Sequence, residues 1–510
     1  MVASCELLFD ELGHFGRFQA SVYFAVIFQC ISCGIHYLAS VFLAATPNFV
    51  CKAPGNVSSA LVCNSSRLGL EDIWDLWTPD SGYVVVQTAN GDIWELDQCS
   101  RFRRDNGFKL TYEYDGNKSY FPCSDGFLYD RAKLKSTIVT DWNLVCDQEW
   151  LGKFTQPTFM LGVLFGAMIF GDLADRIGRR PVMWFTSTGQ FVFGIAVAFS
   201  LEYYSFIILR FLLAMVSSGY LVVVFVYVTE YIGIKARTWA SMHVHASFAV
   251  GLMMVALIGY LVRTWWIYQI VLSLMTSPFL LCCWMLPETP FYLLTKGKTA
   301  EVQRLVRSMA KRNGVTSSCQ FLKKDDSVSK KYGTEKEGMM LKKYSILDLF
   351  STWHLACRTF TVWLVWFTGS LGYYVFSLGS VNLGGNAYLN LFLAGAVELP
   401  SYIIACIAMD KLGRRNTLVP SLLMSVVACV AVMAIPQDYR VLIIIASMTG
   451  KFAIAIAFGL IYLYTAELYP TIVRSLAVGS GSMMCRIGSI VAPFCVYLAN
   501  IWMFLPQVVG

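Results

Sequence analysis

Four ionisable residues lie inside long apolar runs of the sequence: Arg210, Glu398, Lys451 and Arg486. A charge in hydrocarbon is unfavourable by about 3 kcal/mol or more, so each of them is a candidate functional residue. An arginine guanidinium binds a carboxylate through two parallel hydrogen bonds, so Arg486 is predicted to hold a substrate carboxylate. Glu398 supplies the opposite charge, so the two suit a zwitterion, or they neutralise each other as a structural pair. Arg210 and Lys451, nearer the ends of their runs, are assigned a structural or coupling role.

One apolar run, centred on residues 360–378, is rich in aromatic side chains. Trp366 and Tyr373 are seven residues apart, as are Phe367 and Tyr374, so each pair faces the same way on a helix. Aromatic faces attract quaternary ammonium groups through the ring quadrupole. The run therefore offers a cage for an organic cation, or the rings serve only as packing.

An acid–base motif occurs twice in the chain. The pattern D-[RK]-x-G-R-R begins at Asp175 and again at Asp410. Each copy is followed by Y-x-x-E, with an arginine seven residues beyond the glutamate, at nearly the same offset. Two motifs repeated in the same order and register indicate an internal duplication. The charged motif residues are Asp175, Arg179, Arg180, Glu230 and Arg237 in the first copy, and Asp410, Arg414, Arg415, Glu467 and Arg474 in the second.

Two duplicated halves joined by a long loop are the architecture of secondary transporters, whose substrate site lies near the membrane midplane between the halves. The charged motifs are predicted to form a cytoplasmic gate. Its ion pairs would hold the inner side closed while the outer side is open, and would separate when the inner side opens. The alternative is that these residues only anchor helix ends and fix the orientation of the chain.

The composition indicates that lipid surrounds these motifs. Of 510 residues, 56% are hydrophobic and 14% are charged, whereas about a quarter of a soluble domain is charged. An all-α polytopic membrane protein is therefore predicted, and the net charge of +7 does not indicate a nucleic-acid partner. No metal site, nucleotide-binding loop or nucleophile–base arrangement is found, so no enzyme and no cofactor is predicted. Eleven runs of about 20 residues are long enough to span a bilayer: 23–42, 154–170, 182–201, 206–228, 241–262, 267–286, 360–378, 389–409, 417–435, 441–464 and 477–497.

The polar segments between the runs assign the two sides of the membrane. The loop 46–150 contains five cysteines and three N-x-[ST] sequons, at Asn56, Asn64 and Asn117, which is typical of an extracellular, glycosylated, disulfide-bonded cap. The opposite loops are basic, so the positive-inside rule places them in the cytosol together with the N-terminus. The predicted organisation is a cytosolic N-terminus (1–19), helix 1 (20–45), the extracellular loop (46–150), helices 2–6 (151–287), a cytosolic loop (288–357), and helices 7–11 with the start of helix 12 (358–510).

Three stretches resemble the solute carrier 22 family of the major facilitator superfamily: G-x-x-x-D-R-x-G-R-R at 171–180, P-E-T-P at 287–290 and A-E-L-Y-P at 466–470. The resemblance covers the whole chain and favours the carnitine and organic-cation branch. It implies a major facilitator fold of two six-helix pseudo-symmetric halves, with the twelfth helix truncated here because an apolar segment begins at Ile501 and the sequence ends at Gly510. A shortened isoform or a fragment is therefore expected. The implied disulfides are Cys51–Cys123 and Cys99–Cys146.

The resemblance also implies a substrate. Anion and carnitine carriers of the family have arginine at the position of Arg486, where cation transporters have an acid, and Trp366 and Tyr373 match cavity-lining aromatics. The prediction is a multi-pass plasma-membrane carrier for carnitine or a related organic cation or zwitterion. Arg486 holds the carboxylate, Trp366 and Tyr373 hold the ammonium, and Glu398 balances the charge. An organic anion carrier and a truncated, non-transporting membrane partner are the alternatives, and the coupling ion is open.

Overall fold

The computed structural model of the chain describes residues 9, 12–53, 57–61, 67–68, 83–88, 93–105, 108–109, 113–114, 117–118, 122–132, 134–278, 280, 286–315, 346–436, 438–469 and 473–498. The chain divides into two compact units. The first comprises Met1–Val41, Gln156–Leu261 and Trp266–Gly510, and the second comprises Phe42–Thr155 and Val262–Trp265. The candidate site lies in the first unit.

Helices make up the described part of the first unit. In chain order, the α-helices with bounds among the described residues are α1 (Arg17–Leu38), α2 (Ser40–Leu43), α3 (Ile138–Asp141), α4 (Glu149–Ile177), α5 (Arg179–Ala198), α6 (Tyr203–Tyr231), α7 (Ile234–Leu261), α8 (Trp265–Leu274), α9 (Pro290–Thr295), α10 (Thr299–Asn313), α11 (Trp353–Gly379), α12 (Ala387–Leu412), α13 (Arg414–Ala434), α14 (Arg440–Leu468) and α15 (Arg474–Leu498). Short 3-10 helices cover Cys146–Gln148, Ile346–Phe350 and Ser380–Asn382.

Nine helices among the described residues are long and apolar enough to cross a membrane: α1, α4, α5, α6, α7, α11, α12, α13 and α14. Each coincides with a run predicted from the sequence. The sixth predicted run, 267–286, is described in part: α8 is a short apolar helix that ends at Leu274, and residues 281–285 lie outside the described ranges. The eleventh is α15, a helix of 25 residues. The predicted start of a twelfth helix lies outside the described residues, as do residues 316–345 of the loop 288–357.

The repeat seen in the sequence is also present in the backbone. Gly178 separates α4 from α5, and Gly413 separates α12 from α13, at the same position of the duplicated motif. Their φ angles are +112° and +85°, a region that favours glycine. The chain reverses direction sharply between two long helices at each copy of D-[RK]-x-G-R-R, and the glycine of the motif allows the backbone conformation of that turn. We call the first half α1 and α4–α8, the second half α11–α15, and the end of the helices that carries Gly178 and Gly413 the motif end.

Glycines also allow equivalent helix pairs to pack closely in each half. A Cβ on Gly34 of α1 would lie 2.5 Å from the carbonyl oxygen of Phe248 in α7, and a Cβ on Gly488 of α15 would lie 2.5 Å from that of Phe367 in α11. Small residues at helix interfaces let backbones approach within a bilayer, where dispersion replaces the hydrophobic effect as the main attraction. The first and fifth helices of each half are therefore bound together through backbone contact.

The second unit is built on β-structure. Its strands are β1 (Phe49–Cys51), β2 (Val57–Leu61), β3 (Arg67–Leu68), β4 (Tyr83–Thr88), β5 (Ile93–Asp97), β6 (Arg101–Asp105), β7 (Phe108–Lys109), β8 (Glu113–Tyr114), β9 (Asn117–Lys118) and β10 (Phe127–Tyr129). Six of them form an antiparallel sheet in the order β3-β2-β4-β5-β6-β7, while β1 pairs with β10 and β8 with β9. The all-α class thus describes the first unit, and the sequence-based expectation missed these strands.

Two disulfides cross-link this unit, Cys51–Cys123 and Cys99–Cys146, which are the pairs that the family resemblance implies. Arg101 adds a polar link: its guanidinium donates to the carbonyl of Lys52, to Ser124 Oγ and to the carboxylate of Asp125, and it lies over the Trp94 ring. The hydrogen bond from Arg101 lowers the pKa of the Asp125 carboxyl. Of the three predicted glycosylation sites, Asn56 and Asn64 lie outside the described residues, and Asn117 begins β9.

Candidate functional site

A cavity of about 800 Å³ lies inside the first unit. Both halves line it: α1, α4, α5, α6 and α7 from the first, and α11, α12, α14 and α15 from the second. Asp175 and Arg179 at the motif end belong to its lining, as does Arg486 in the middle of α15. The cavity therefore extends from the centre of the helices to the motif end.

Arg486 is the buried cation of this cavity. It lies in the middle of α15, is only 6% exposed, and its Nε has no hydrogen-bond partner among the described residues. Its electrostatic neighbours include the phenols of Tyr37, Tyr374 and Tyr462, which line the cavity with it. Neutral phenols do not cancel a guanidinium charge. The predicted carboxylate-binding residue is thus placed in the cavity with its Nε–H group unpaired among the described residues.

An aromatic wall faces the same cavity. His245 of α7 stacks on the Tyr402 ring at 5.8 Å and contacts Tyr462 at 5.9 Å and Phe458 at 6.3 Å. Phe458 in turn stacks on Tyr373 at 5.4 Å. All five residues belong to the cavity lining. Rings from α7, α11, α12 and α14 thus form one continuous surface that suits an organic cation.

The two aromatic residues that were predicted to hold an ammonium group, Trp366 and Tyr373, lie in different surroundings. Tyr373 lies in the wall, whereas Trp366 is fully buried behind it. The Trp366 ring meets Tyr462 edge-on at 4.4 Å, its Nε1 donates to Thr465 Oγ1 at 3.0 Å, and a Cβ on Gly481 would lie 2.6 Å from that nitrogen. Trp366 therefore supports Tyr462 from the side away from the cavity.

Glu398 is paired with Lys451. The distance from Glu398 Oε1 to Lys451 Nζ is 2.8 Å, and both side chains are almost completely buried. Glu398 Oε2 accepts hydrogen bonds from the phenols of Tyr373 and Tyr402, each at 3.1 Å. The Lys451 ammonium donates to Ser377 Oγ at 2.6 Å and lies 3.2 Å above the Tyr373 ring. The acid predicted to face the substrate or to neutralise Arg486 is therefore neutralised by the lysine of α14.

Sequence reasoning missed most of this wall. His245, Tyr402, Phe458 and Tyr462 belong to none of the motifs of the sequence. The signal that was available is the spacing of Phe458 and Tyr462, one helical turn apart in α14. That spacing places two rings on one face but does not say which face meets the cavity.

The charged motif of the first half forms one cluster at the motif end. Arg179 Nη2 lies 2.9 Å from Asp175 Oδ1 and 2.9 Å from Glu230 Oε1, and its guanidinium lies over the Tyr292 ring. Glu288, of the P-E-T-P segment, adds a second acid: its carboxylate accepts hydrogen bonds from the backbone N–H groups of Arg179 and Arg180, each at 3.1 Å. The predicted contact of Arg179 with Glu230 is therefore present, whereas the role of Glu288 was not predicted.

The carboxylate of Glu288 caps α5 from a distant part of the chain. Gly178, the N-cap residue, has no side chain for this purpose, so the orphan N–H groups of the first turn need another acceptor. A carboxylate also interacts favourably with the positive end of the helix dipole.

We expect Glu288→Ala to lower the stability of the protein by about 1 kcal/mol, measured as thermal unfolding of the purified protein. Glu288→Gln, which keeps an acceptor oxygen, is the control with a smaller loss. Equal stability of Glu288→Ala and the wild type would contradict the capping role.

The second copy of the motif shows the equivalent contact. Arg414 Nε lies 3.1 Å from Glu467 Oε2, and Arg414 Nη1 donates to the carbonyl of Met409. The remaining motif residues are placed at the same end: Asp410 in the last turn of α12, Arg415 in the first turn of α13, Arg237 early in α7, and Arg474 at the start of α15. The side chain of Arg474 lies outside the described residues. The ion pairs named here each join two helices of the same half.

Comparisons with known proteins find similarity to membrane transporters. The family model for sugar (and other) transporters matches residues 133–503. Solute carrier family 22 member 16 from Xenopus laevis is 66% identical over 502 residues, 98% of this chain and 88% of that protein. The human organic cation/carnitine transporter 2 is 33% identical over 503 residues, 98% of this chain and 87% of that protein. Among solved structures, the xylose transporter XylE from E. coli is 16% identical, with a TM-score of 0.52, over 68% of this chain and 81% of that one.

Proposed function

The chain belongs to the solute carrier 22 family of the major facilitator superfamily and is a secondary transporter, and we propose that it carries carnitine or a related organic zwitterion or cation across the plasma membrane by alternating access. Relatives named as organic cation and carnitine transporters support this substrate class. The observation that carries the proposal is the position of one unneutralised guanidinium, Arg486, in the same cavity as the aromatic wall.

The two features match the two ends of a zwitterion such as carnitine. A carboxylate that reaches Arg486 gains a charge-assisted, bidentate contact, which is stronger in a dry cavity than in water. A quaternary ammonium cannot donate a hydrogen bond, so its recognition depends on ring faces, and Tyr402, Phe458 and Tyr462 supply them. The rings of the wall come from four helices of two halves, so closing the cavity around an ammonium brings both halves together.

The ion pair of Glu398 with Lys451 bears on which substrate charge the cavity favours. Because Lys451 holds Glu398 in an ion pair, Glu398 offers no free negative charge to a cation. A substrate that is only cationic would face the uncompensated charge of Arg486. This observation favours a zwitterion over a pure cation, and it also supports an organic anion as the second candidate substrate.

We further propose an orientation for the chain. The basic motif end and the N-terminus are placed in the cytosol, and the disulfide-bonded second unit is placed outside, with Asn56, Asn64 and Asn117 as glycosylation sites. In this orientation the cavity, which extends to Asp175 and Arg179, is open to the cytosol. The pairs Arg179–Glu230 and Arg414–Glu467 then stabilise each half on its own, and the gate function requires contacts between halves in the opposite state.

Uptake measurements on cells that express this chain test the proposal. We expect saturable uptake of labelled carnitine, inhibited by excess unlabelled carnitine more strongly than by tetraethylammonium, which lacks a carboxylate, or by p-aminohippurate, which lacks the ammonium. Inhibition by p-aminohippurate alone would favour the anion carrier. Absence of uptake at confirmed surface abundance would refute the substrate assignment. A shift in gel mobility after glycosidase treatment of the same cells would support the outward placement of the second unit.

A further inference from the structure

A second buried arginine, Arg210, has no counter-ion in the described part of the protein. It lies in α6, its side chain is 0% exposed, and none of its three guanidinium nitrogens has a hydrogen-bond partner among the described residues. The ring of Phe159 in α4 lies 4.6 Å from the guanidinium carbon. Arginine stays protonated in proteins, and burying an ion without a partner is strongly unfavourable. The cation–π contact with one ring offsets only part of this cost.

The helices of the first half contain no acid at the depth of Arg210 that could neutralise it. Helices α1, α5, α7 and α8 contain no Asp or Glu, and the same is true of residues 275–286. In α6, Glu230 lies 20 residues away at the motif end, where it pairs with Arg179. Glu202, which caps the start of α6, is exposed. In α4, the acids lie at the two ends, about 15 Å or more along the helix from Phe159.

The second half shows how the equivalent problem is solved there. Lys451 lies in α14, the repeat counterpart of α6, and is neutralised by Glu398 of α12. Residues 175 and 410 begin the two motif copies, and the same offset of 235 residues places Val163 of α4 opposite Glu398. Val163 is fully buried, one turn beyond Phe159, and its carbonyl accepts from Ser218 of α6. An apolar residue therefore stands in the first half where the second half has a carboxylate.

Other buried polar groups of the first half also have no hydrogen-bond partner among the described residues. Both ring nitrogens of His36 in α1 are buried without a hydrogen-bond partner among the described residues, and the imidazole interacts electrostatically with Arg210. The hydroxyl of Ser217, two turns beyond Arg210 on the same face of α6, is also buried without a partner there. Gly194 of α5 packs close to this histidine, since its Cβ would lie 3.6 Å from the His36 ring. Unused polar groups of α1 and α6 thus accompany the buried cation.

We propose that a small monovalent anion of the size of chloride binds beside Arg210, between α1, α4 and α6, and supplies the charge that Glu398 supplies to Lys451. Water would satisfy the hydrogen-bond donors of the guanidinium but would leave its charge uncompensated. An anion satisfies both. This site is separate from the central cavity, whose lining contains neither Arg210 nor Val163, and it does not depend on the identity of the transported substrate.

Thermal unfolding of the purified full-length protein tests the site. The protein is titrated with sodium chloride against sodium gluconate at constant ionic strength, since gluconate is a much larger anion than chloride. We expect the Tm to rise with chloride to a plateau, by roughly 3 °C at chloride ten times its Kd. Bromide should act like chloride. We expect Arg210→Gln to abolish the dependence on chloride, whereas Arg486→Gln should retain it.

A variant that carries its own carboxylate gives the sharpest result. Val163→Glu places an acid one turn from Phe159, so its Tm in gluconate should equal that of the wild type in saturating chloride. Val163→Gln, of the same size and uncharged, is the matched control and should still respond to chloride. A wild-type Tm that is the same in chloride and gluconate would show that water suffices and would overturn the proposal. So would a chloride effect that persists in Arg210→Gln and disappears in Arg486→Gln, because the anion would then bind in the central cavity.

Discussion

Arg486→Gln is expected to lower the kcat/KM for carnitine uptake by about 100-fold or more at equal surface abundance. The reason is that removal of one partner from a buried, hydrogen-bonded charge pair costs about 2–5 kcal/mol. Glutamine is two bonds shorter, offers one amide in place of the guanidinium fork, and carries no charge. The variant also removes a buried cation that no described group neutralises, so the protein itself is not expected to lose stability. The measurement is the initial rate of labelled carnitine uptake, normalised to biotinylated surface protein.

Two controls separate carboxylate binding from a general loss of activity. Arg486→Lys keeps the charge but loses the bidentate geometry, so it should retain an intermediate rate. Tetraethylammonium has no carboxylate, and its weak uptake should rise in Arg486→Gln because the repelling charge in the cavity is gone. Carnitine uptake by Arg486→Gln at the wild-type rate would contradict the assignment of this residue.

The membrane helices could be predicted from the sequence because two independent signals coincide there. Apolar runs of about 20 residues have few other uses, and the duplicated D-[RK]-x-G-R-R motif fixes which helix ends belong together. The second unit has no comparable signal. Its strands span two to six residues, and β-propensity over so few positions depends on neighbours that the sequence does not identify. The disulfides were assigned only through the family resemblance, since five cysteines allow several pairings.

The candidate site shows where sequence reasoning stops. Arg486, Glu398 and Lys451 were all recognised as buried charges, but the choice of partner depends on the rotation of each helix about its axis. The structure turns Glu398 toward α14 and Arg486 toward phenols of α1 and α11. Trp366 and Tyr373 share a stripe of α11, yet they lie about 10 Å apart along the axis. Over that distance the neighbouring surface changes from the cavity to the packed contact with Thr465.

The pair of Glu398 and Lys451 is expected to dominate the stability of the second half. Lys451→Met retains the volume of the side chain but leaves a buried carboxylate without its counter-ion, which should lower the stability by about 3–5 kcal/mol. Glu398→Gln keeps an acceptor oxygen for Tyr373 and Tyr402 but leaves Lys451 without its counter-ion, so it should be destabilising as well. The measurement is the thermal unfolding of the purified variants, together with their surface abundance in cells.

The double variant Glu398→Gln/Lys451→Met decides between a charge effect and a packing effect. It contains no unpaired charge, and a buried ion pair is often no more stable than a neutral pair of similar volume, so its stability should return close to that of the wild type. Losses that simply add in the double variant would show that the two charges do not act as a pair. Because Glu398 also orients the two phenols of the aromatic wall, the recovered double variant should bind carnitine more weakly than the wild type while it unfolds at a similar temperature. The ion pair then connects two properties of the molecule: it makes a charged interior tolerable, and it holds Tyr373 and Tyr402 where an ammonium group can meet them.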